Sequence, residues 1–245
     1  MKANIGFSEI LVAVLIVAAI VDAACAAPTG PDHIVKIQSE RMQPKPGASV
    51  PAQAGNVTEL NINTTSVTKS WQGYYGNITG IITLDDARNF SMYQWSLTTP
   101  QGEVYASPAE VTSWSNVKCF NYSAKAPELN LTELEANLSI GPKDADGVNE
   151  TFRYDFTGSF YVGTTHIDST NGCKATFTYR NDQPQATSFP EVLLTDTTNV
   201  IYTTIIENNI PGFDNRGHDF QILVGENGHN GDVKTTQYYF YVEIE

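Results

Sequence analysis

A period of two in side-chain character, cut repeatedly by turn dipeptides, dominates the chain beyond residue 58 and leaves it little choice but β-structure. Phe90-Ser-Met-Tyr-Gln-Trp-Ser-Leu97 alternates apolar with polar residues. At the C-terminal end Tyr238, Phe240, Val242 and Ile244 share one face of an extended segment, and Tyr239, Tyr241, Glu243 and Glu245 share the other. Further strands are expected at 60–63, 78–84, 103–107, 151–162, 174–180, 190–195, 199–207 and 219–225. The punctuation is Asp85-Asp86, Pro100-Gln-Gly, Asn171-Gly172, Asn181-Asp182, Pro211-Gly212 and Asn227-Gly228. One helix interrupts this pattern: over 129–138, Leu131, Leu134 and Leu138 fall on a single helical face. Many short strands with such turns predict an all-β domain over 58–245, a β-sandwich of immunoglobulin-like or jelly-roll-like kind with one short helix.

The domain has two preceding segments. Residues 27–57 hold Pro28, Pro31, Pro44, Pro46 and Pro51 and few large apolar residues after Ile37, so they read as a Pro-rich linker. Residues 1–26 carry an unbroken apolar run from Ile10 to Ile20, behind Lys2. Two processing schemes fit: cleavage after Ala26 at the Ala24-Cys25-Ala26 site of a signal peptide, or cleavage after Gly6 that keeps a hydrophobic helix starting at Phe7. An uncleaved anchor is the third reading.

Composition narrows the function. Lys and Arg number 14 against 27 Asp and Glu, a formal charge of −13 with no basic stripe, which excludes nonspecific nucleic-acid binding. Eight Asn-x-Ser/Thr sequons stand at Asn56, Asn63, Asn77, Asn89, Asn121, Asn130, Asn137 and Asn149, and none in the stretch that follows. They mark an exported glycoprotein. The bare C-terminal stretch is then either packed on a partner or buried in the domain. With Cys25 inside the opening segment, Cys119 and Cys173 remain for the domain. In an oxidising compartment they are expected to pair and close a loop worth about 4 kcal/mol.

No hydrolase, phosphate-loop or zinc-protease motif occurs. The aromatics Trp71, Tyr74, Tyr75 and Trp95 form either a sugar-stacking platform or core. Asp144, Asp146, Asn149 and Glu150 surround Gly147 in a loop that offers calcium some oxygen ligands but does not meet the full loop pattern; an ordinary turn is the stronger reading and no cofactor is expected. Asp214, Asn215 and Asp219 form a similar acidic loop. His33, His166, His218 and His229 are read as surface or satisfied residues. A carboxylate pair for glycoside hydrolysis is conceivable, but no pairing stands out.

GFSEILVAVLIVAAIV, residues 6–21, resembles the start of archaeal type IV pilin-like proteins, although no basic residue adjoins Gly6 and Asp22 shortens the run. TKSWQGYYGNITGIITLDD, SMYQWSLTTPQGEVYAS and TTQYYFYVEIE resemble uncharacterised secreted proteins of archaea. The resemblance implies an exported surface protein and brings no catalytic residue with it. The expectation is a non-enzymatic, N-glycosylated structural protein at the cell surface or outside the cell. It would be a homo-oligomer or filament subunit that touches the membrane only through its N-terminal segment, if that is kept. A carbohydrate-binding or adhesion module, or a secreted glycoside hydrolase, are the alternatives.

Overall fold

The computed structural model describes residues 27–123, 125–228 and 235–244. The expected N-terminal helix, Cys25 and His229 lie outside those residues. In chain order the strands are β1 (Trp71–Gly76), β2 (Ile81–Asp85), β3 (Ser91–Ser96), β4 (Gly102–Ser107) and β5 (Lys118–Cys119). Helices α1 (Leu131–Asn137) and α2 (Val148–Thr151) follow, then β6 (Tyr154–Asp155), β7 (Ser159–Val162), β8 (Thr165–Asp168) and β9 (Lys174–Phe177). The last strands are β10 (Pro190–Thr195), β11 (Val200–Ile205), β12 (Ile210–Pro211), β13 (Gly217–His218), β14 (Phe220–Gly225) and β15 (Tyr239–Ile244). The all-β expectation is met.

The centre is a seven-stranded antiparallel sheet in the order β15-β4-β11-β10-β9-β6, with β5 pairing β10 beside β9. Successive side chains of a strand point to opposite faces, and here both faces are covered. Val192, Leu194, Ile201 and Tyr105 enter one cluster with Phe156, Phe160, Val162 and Ile167 of the β6–β8 region. Leu193, Val200, Tyr202 and Ala106 enter the other, with Leu134, Leu138, Val148 and Phe152 of the helical region and Ile222 and Val224 of β14. A Leu or Ile buried this fully contributes roughly 1.5–3 kcal/mol from area alone. The sequon-free stretch therefore supplies β9, β10, β11 and β14. Most residues of these four strands are buried.

Helix α1 forms where the Leu spacing placed it. Asn130 caps it by accepting a hydrogen bond from the Glu133 amide at 3.0 Å, and Leu134 and Leu138 are buried on its inner side. It ends where Ser139 takes a φ of +56°. Replacing Asn130 with Ala is expected to cost about 1 kcal/mol, and replacing it with Asp should keep the cap. Since both changes remove the sequon, chemical denaturation of the two variants separates cap from glycan.

Three local readings change. Leu60 and Ile62 alternate but find no sheet and stay exposed, at 54% and 84%. The expected strand over 151–162 breaks into α2, β6 and β7, because Phe156 turns inward and a side chain at Gly158 would strike its ring. The segment Trp71–Gly76, read only as an aromatic cluster, is β1 and pairs with β14 in full register, Trp71 opposite Gly225 to Gly76 opposite Phe220. The linker expectation has an exception at its start: Pro28 is buried, and Thr29 exchanges backbone hydrogen bonds of 3.1 and 2.9 Å with Val242 on the outer edge of β15.

Gly102 opens β4 at a φ of +119°, and a Cβ there would overlap the Glu243 carbonyl on the neighbouring strand. Gly102→Ala is expected to destabilise by more than the roughly 1 kcal/mol that an unfavourable φ costs, because backbone must shift. A thermal melt beside wild type reads this directly.

Candidate functional site

The four aromatics proposed as a sugar platform do not share a plane. Trp71 is half-buried against Phe152 and Tyr202, and its Nε1 donates to the Asp146 carbonyl at 2.6 Å. Tyr74 packs edge-on to Phe240, with ring centroids 5.1 Å apart. These two are core. Tyr75 lies between Phe213 and His218, and its hydroxyl receives a hydrogen bond from Gln38 at 3.0 Å. Trp95 sits apart on the β2–β3 hairpin, beside Tyr93 at 4.8 Å, with 49% of its surface exposed. Of the four, Trp95 is the one left open, and Tyr93 is an exposed ring beside it. Sequence reasoning missed Tyr93, whose alternation partner on the strand is Trp95 itself.

The acidic loops spend their carboxylates on local structure. Asp144 accepts from the Gly141 amide at 2.6 Å, and Asp146 accepts from the Thr68 hydroxyl at 2.5 Å. Asn149 and Glu150 lie exposed on α2. Among the described residues no three His, Cys, Asp or Glu side chains converge as a metal site would require. In the second loop Asp214 accepts from Arg216 Nε at 2.5 Å and pairs with His218 Nε2 at 2.8 Å. Burial alone would raise its carboxyl, but the Arg216 amide and the His218 and Arg216 side chains hold it down at about 2. Asp219 ties two loops together by accepting from the amides of Ile78 and Asn209, both at 2.8 Å. His33 is exposed, and His166 lies against the Tyr161 ring at a tilt of 37° and 3.5 Å from Asp168.

What no sequence pattern revealed is a set of buried carboxyls. Glu103 of β4 and Glu243 of β15 stand directly opposite each other in the sheet, 4% and 3% exposed. Opposed residues in such a pair have Cβ atoms about 4.5–5.5 Å apart. Tyr105 donates to Glu243 Oε2 at 3.0 Å, and the Gly163 amide of the β7–β8 turn lies 3.1 Å from both Glu243 oxygens. Burial first, then the charges of Glu103 and Glu243, push the Tyr105 hydroxyl far above its ordinary value. A surface cavity of about 380 Å³ reaches Glu103, Tyr161 and Phe160, and Glu243 is not among its lining residues. The third carboxyl, Glu191 of β10, is fully buried on the other face and accepts from the Leu223 amide at 2.7 Å. In the sequence Glu243 shares a strand face with Tyr239 and Tyr241, and nothing there marks that face as buried. Its partner could only be named once register was known.

Cys119 and Cys173 form the expected disulfide, with Cα atoms 4.8 Å apart. Of the sequon asparagines, Asn56, Asn63, Asn77, Asn89, Asn121, Asn137 and Asn149 are exposed and the capping Asn130 is half-buried; none belongs to a strand. No helix among the described residues is long and apolar enough to cross a membrane. In comparisons with known proteins, no family model, curated protein or solved structure matches this chain.

Proposed function

We propose that this chain is an exported, N-glycosylated structural protein of the cell surface, a subunit of an extracellular filament or surface layer built on a sandwich-like β-domain. The placement of the sequons carries the reading. All eight asparagines stand on loops, extended segments or helix ends, with their side chains exposed or half-exposed, while the strands hold none. The internal disulfide fits an oxidising compartment. In this role the β-domain is a rigid, covalently closed unit, and glycans shield its loop surface. The test is the intact mass of the native protein before and after enzymatic removal of N-glycans. A mass fall of several glycans supports the reading, and an unchanged mass equal to the bare polypeptide overturns it.

A second reading, adhesion through a carbohydrate, draws on the β2–β3 hairpin. Every residue of both strands is exposed, and Trp95 and Tyr93 present adjacent rings there. Under this reading Trp95→Ala abolishes retention on a glycan array without changing the melting temperature. Under the structural reading no glycan is retained by either form. The hydrolase alternative has less support, because Glu103 and Glu243 are buried rather than facing each other across a cleft.

A further inference from the structure

The β2–β3 hairpin presents an apolar face that its own chain leaves open. Its register sets Ile82 opposite Trp95 and Leu84 opposite Tyr93. Directly opposed residues share a face of the sheet, so these four form one apolar block, and they are 38% to 60% exposed. The Tyr93 and Trp95 rings lie side by side within it, with centroids 4.8 Å apart. The polar pair Thr83 and Gln94 stands on the opposite face. A two-stranded hairpin is marginally stable in water by itself, and this one takes no third strand among the described residues. It is nevertheless built at both ends. At its base a Cβ on Gly80 would lie 2.6 Å from Ile244 Cδ1, at the end of β15. At its tip Asp86 accepts from the Arg88 and Phe90 amides at 2.8 and 3.0 Å and pairs with the Arg88 guanidinium at 3.3 Å.

We infer that this face is the contact between two copies of the chain. The hairpins pack face to face about a two-fold axis, so that Leu84, Tyr93 and Trp95 of each copy enter the apolar block of the other. The inference names the assembly surface of the subunit proposed above and rests on that reading. Area is the first reason for a second copy. The four side chains expose roughly 400–500 Å² per copy, so joining two such faces removes roughly 800–1,000 Å² from water. Phe90 and Met92, 67% and 84% exposed toward the tip, add to this at the rim and bring the total to the ~1,000 Å² that a specific interface needs. Charge is the second. Each copy carries a formal −13, so two copies repel over most of their surface, but the block itself holds no charged residue. The third is the position of the sequons. Asn77 precedes β2 and Asn89 sits in the tip turn at a φ of +64°, both exposed. A glycan on Asn89 would keep the tip in water and bar the hairpin from a bilayer, while leaving the sides of the strands free. A bound sugar would need hydrogen-bonding groups beside the rings, and Thr83 and Gln94 stand on the wrong face to supply them.

The experiment uses the full glycosylated chain. The photo-reactive residue benzoylphenylalanine replaces Leu84 in one sample and Gln94 in another, and each is mixed with isotope-labelled wild type before irradiation. The expected result is a cross-link from position 84 to the 81–96 peptide of the labelled copy, and none from position 94. Sedimentation equilibrium then compares wild type with Leu84→Lys, which sets two like charges into the contact. The concentration at which half the chains are paired should rise at least about tenfold, with circular dichroism unchanged, whereas Gln94→Lys should leave it in place. If Leu84→Lys does not fold, the cross-link decides. No cross-link between copies from position 84, equal cross-linking from both faces, or a midpoint unmoved by Leu84→Lys overturns the inference. So does retention on a glycan array that Leu84→Lys keeps and Trp95→Ala loses, which assigns the face to a sugar. The two failures separate. Assemblies that persist unchanged in Leu84→Lys leave the structural reading in place with another contact, whereas a wild-type chain that stays monomeric at every concentration removes the assembly reading as well.

Discussion

Replacing Cys119 and Cys173 together with Ala is expected to lower stability by about 4 kcal/mol, the chain-entropy value for a 54-residue separation. For a domain of this size that is a fall of roughly 8–16 °C in melting temperature. The position of the bridge explains why the loss should approach this value. Cys119 ends β5 and Cys173 precedes β9, and these two strands lie along the same edge of β10. The chain between them leaves the sheet and returns. On the way it supplies Leu134, Leu138, Val148 and Phe152 to one face and Phe156, Phe160, Val162 and Ile167 to the other. The disulfide closes a loop that clamps both faces, so without it the unfolded chain regains the freedom of the whole excursion. Calorimetry of the double variant checks this, and a shift of only about one or two degrees would show that the denatured chain is already restricted there.

The second large effect concerns pH. Burial raises the Glu191 carboxyl well above its ordinary value, against the lowering hydrogen bond from the Leu223 amide. Unfolded, the group titrates near ~4.3. Between that value and its folded value the native state holds one proton more than the unfolded state. Its contribution is therefore complete below about pH 4 and is lost as pH rises toward the folded value. Glu191→Gln keeps an oxygen that can accept from Leu223 but cannot ionise. The expected outcome is a stability difference between the Glu191→Gln variant and wild type that moves in favour of the variant as pH climbs from about 4 to about 7. Denaturant midpoints across that range measure it, and a difference independent of pH would refute the account. The consequence is local as well: Leu223 lies in β14, so Glu191 is one tie between the β1–β14 ribbon and the main sheet.

Both effects turn on residues whose types were visible in the sequence and whose roles were not. Cys119 and Cys173 could be paired by elimination, since the third cysteine lies in the opening segment. Glu191 and Glu243 looked like any other acidic residue in a strand. A charged residue at an alternating position reads as solvent-facing, and that rule assumes a sheet with one wet face. Here α1, α2 and β14 cover one face and the β7–β8 hairpin covers the other, so the outward positions are inward as well.

Strand positions at 190–195, 199–207 and 219–225, the helix over 129–138 and the candidate glycan acceptors were legible from period, turn residues and motif alone, because these depend on neighbours a few residues away. Trp71 and Tyr74 were recognisable as large rings, but whether a ring binds a ligand or fills a core depends on what the fold places over it. Phe152 and Tyr202 over Trp71, and Phe240 over Tyr74, come from 81 to 166 residues further along the chain. The opposition of Glu103 to Glu243, the closure of one excursion around both faces and the docking of Thr29 on Val242 were decided by tertiary structure. Each joins segments far apart in the chain, and such contacts are chosen by the fit of the whole sheet and its two covering layers, not by any local preference of the residues that make them.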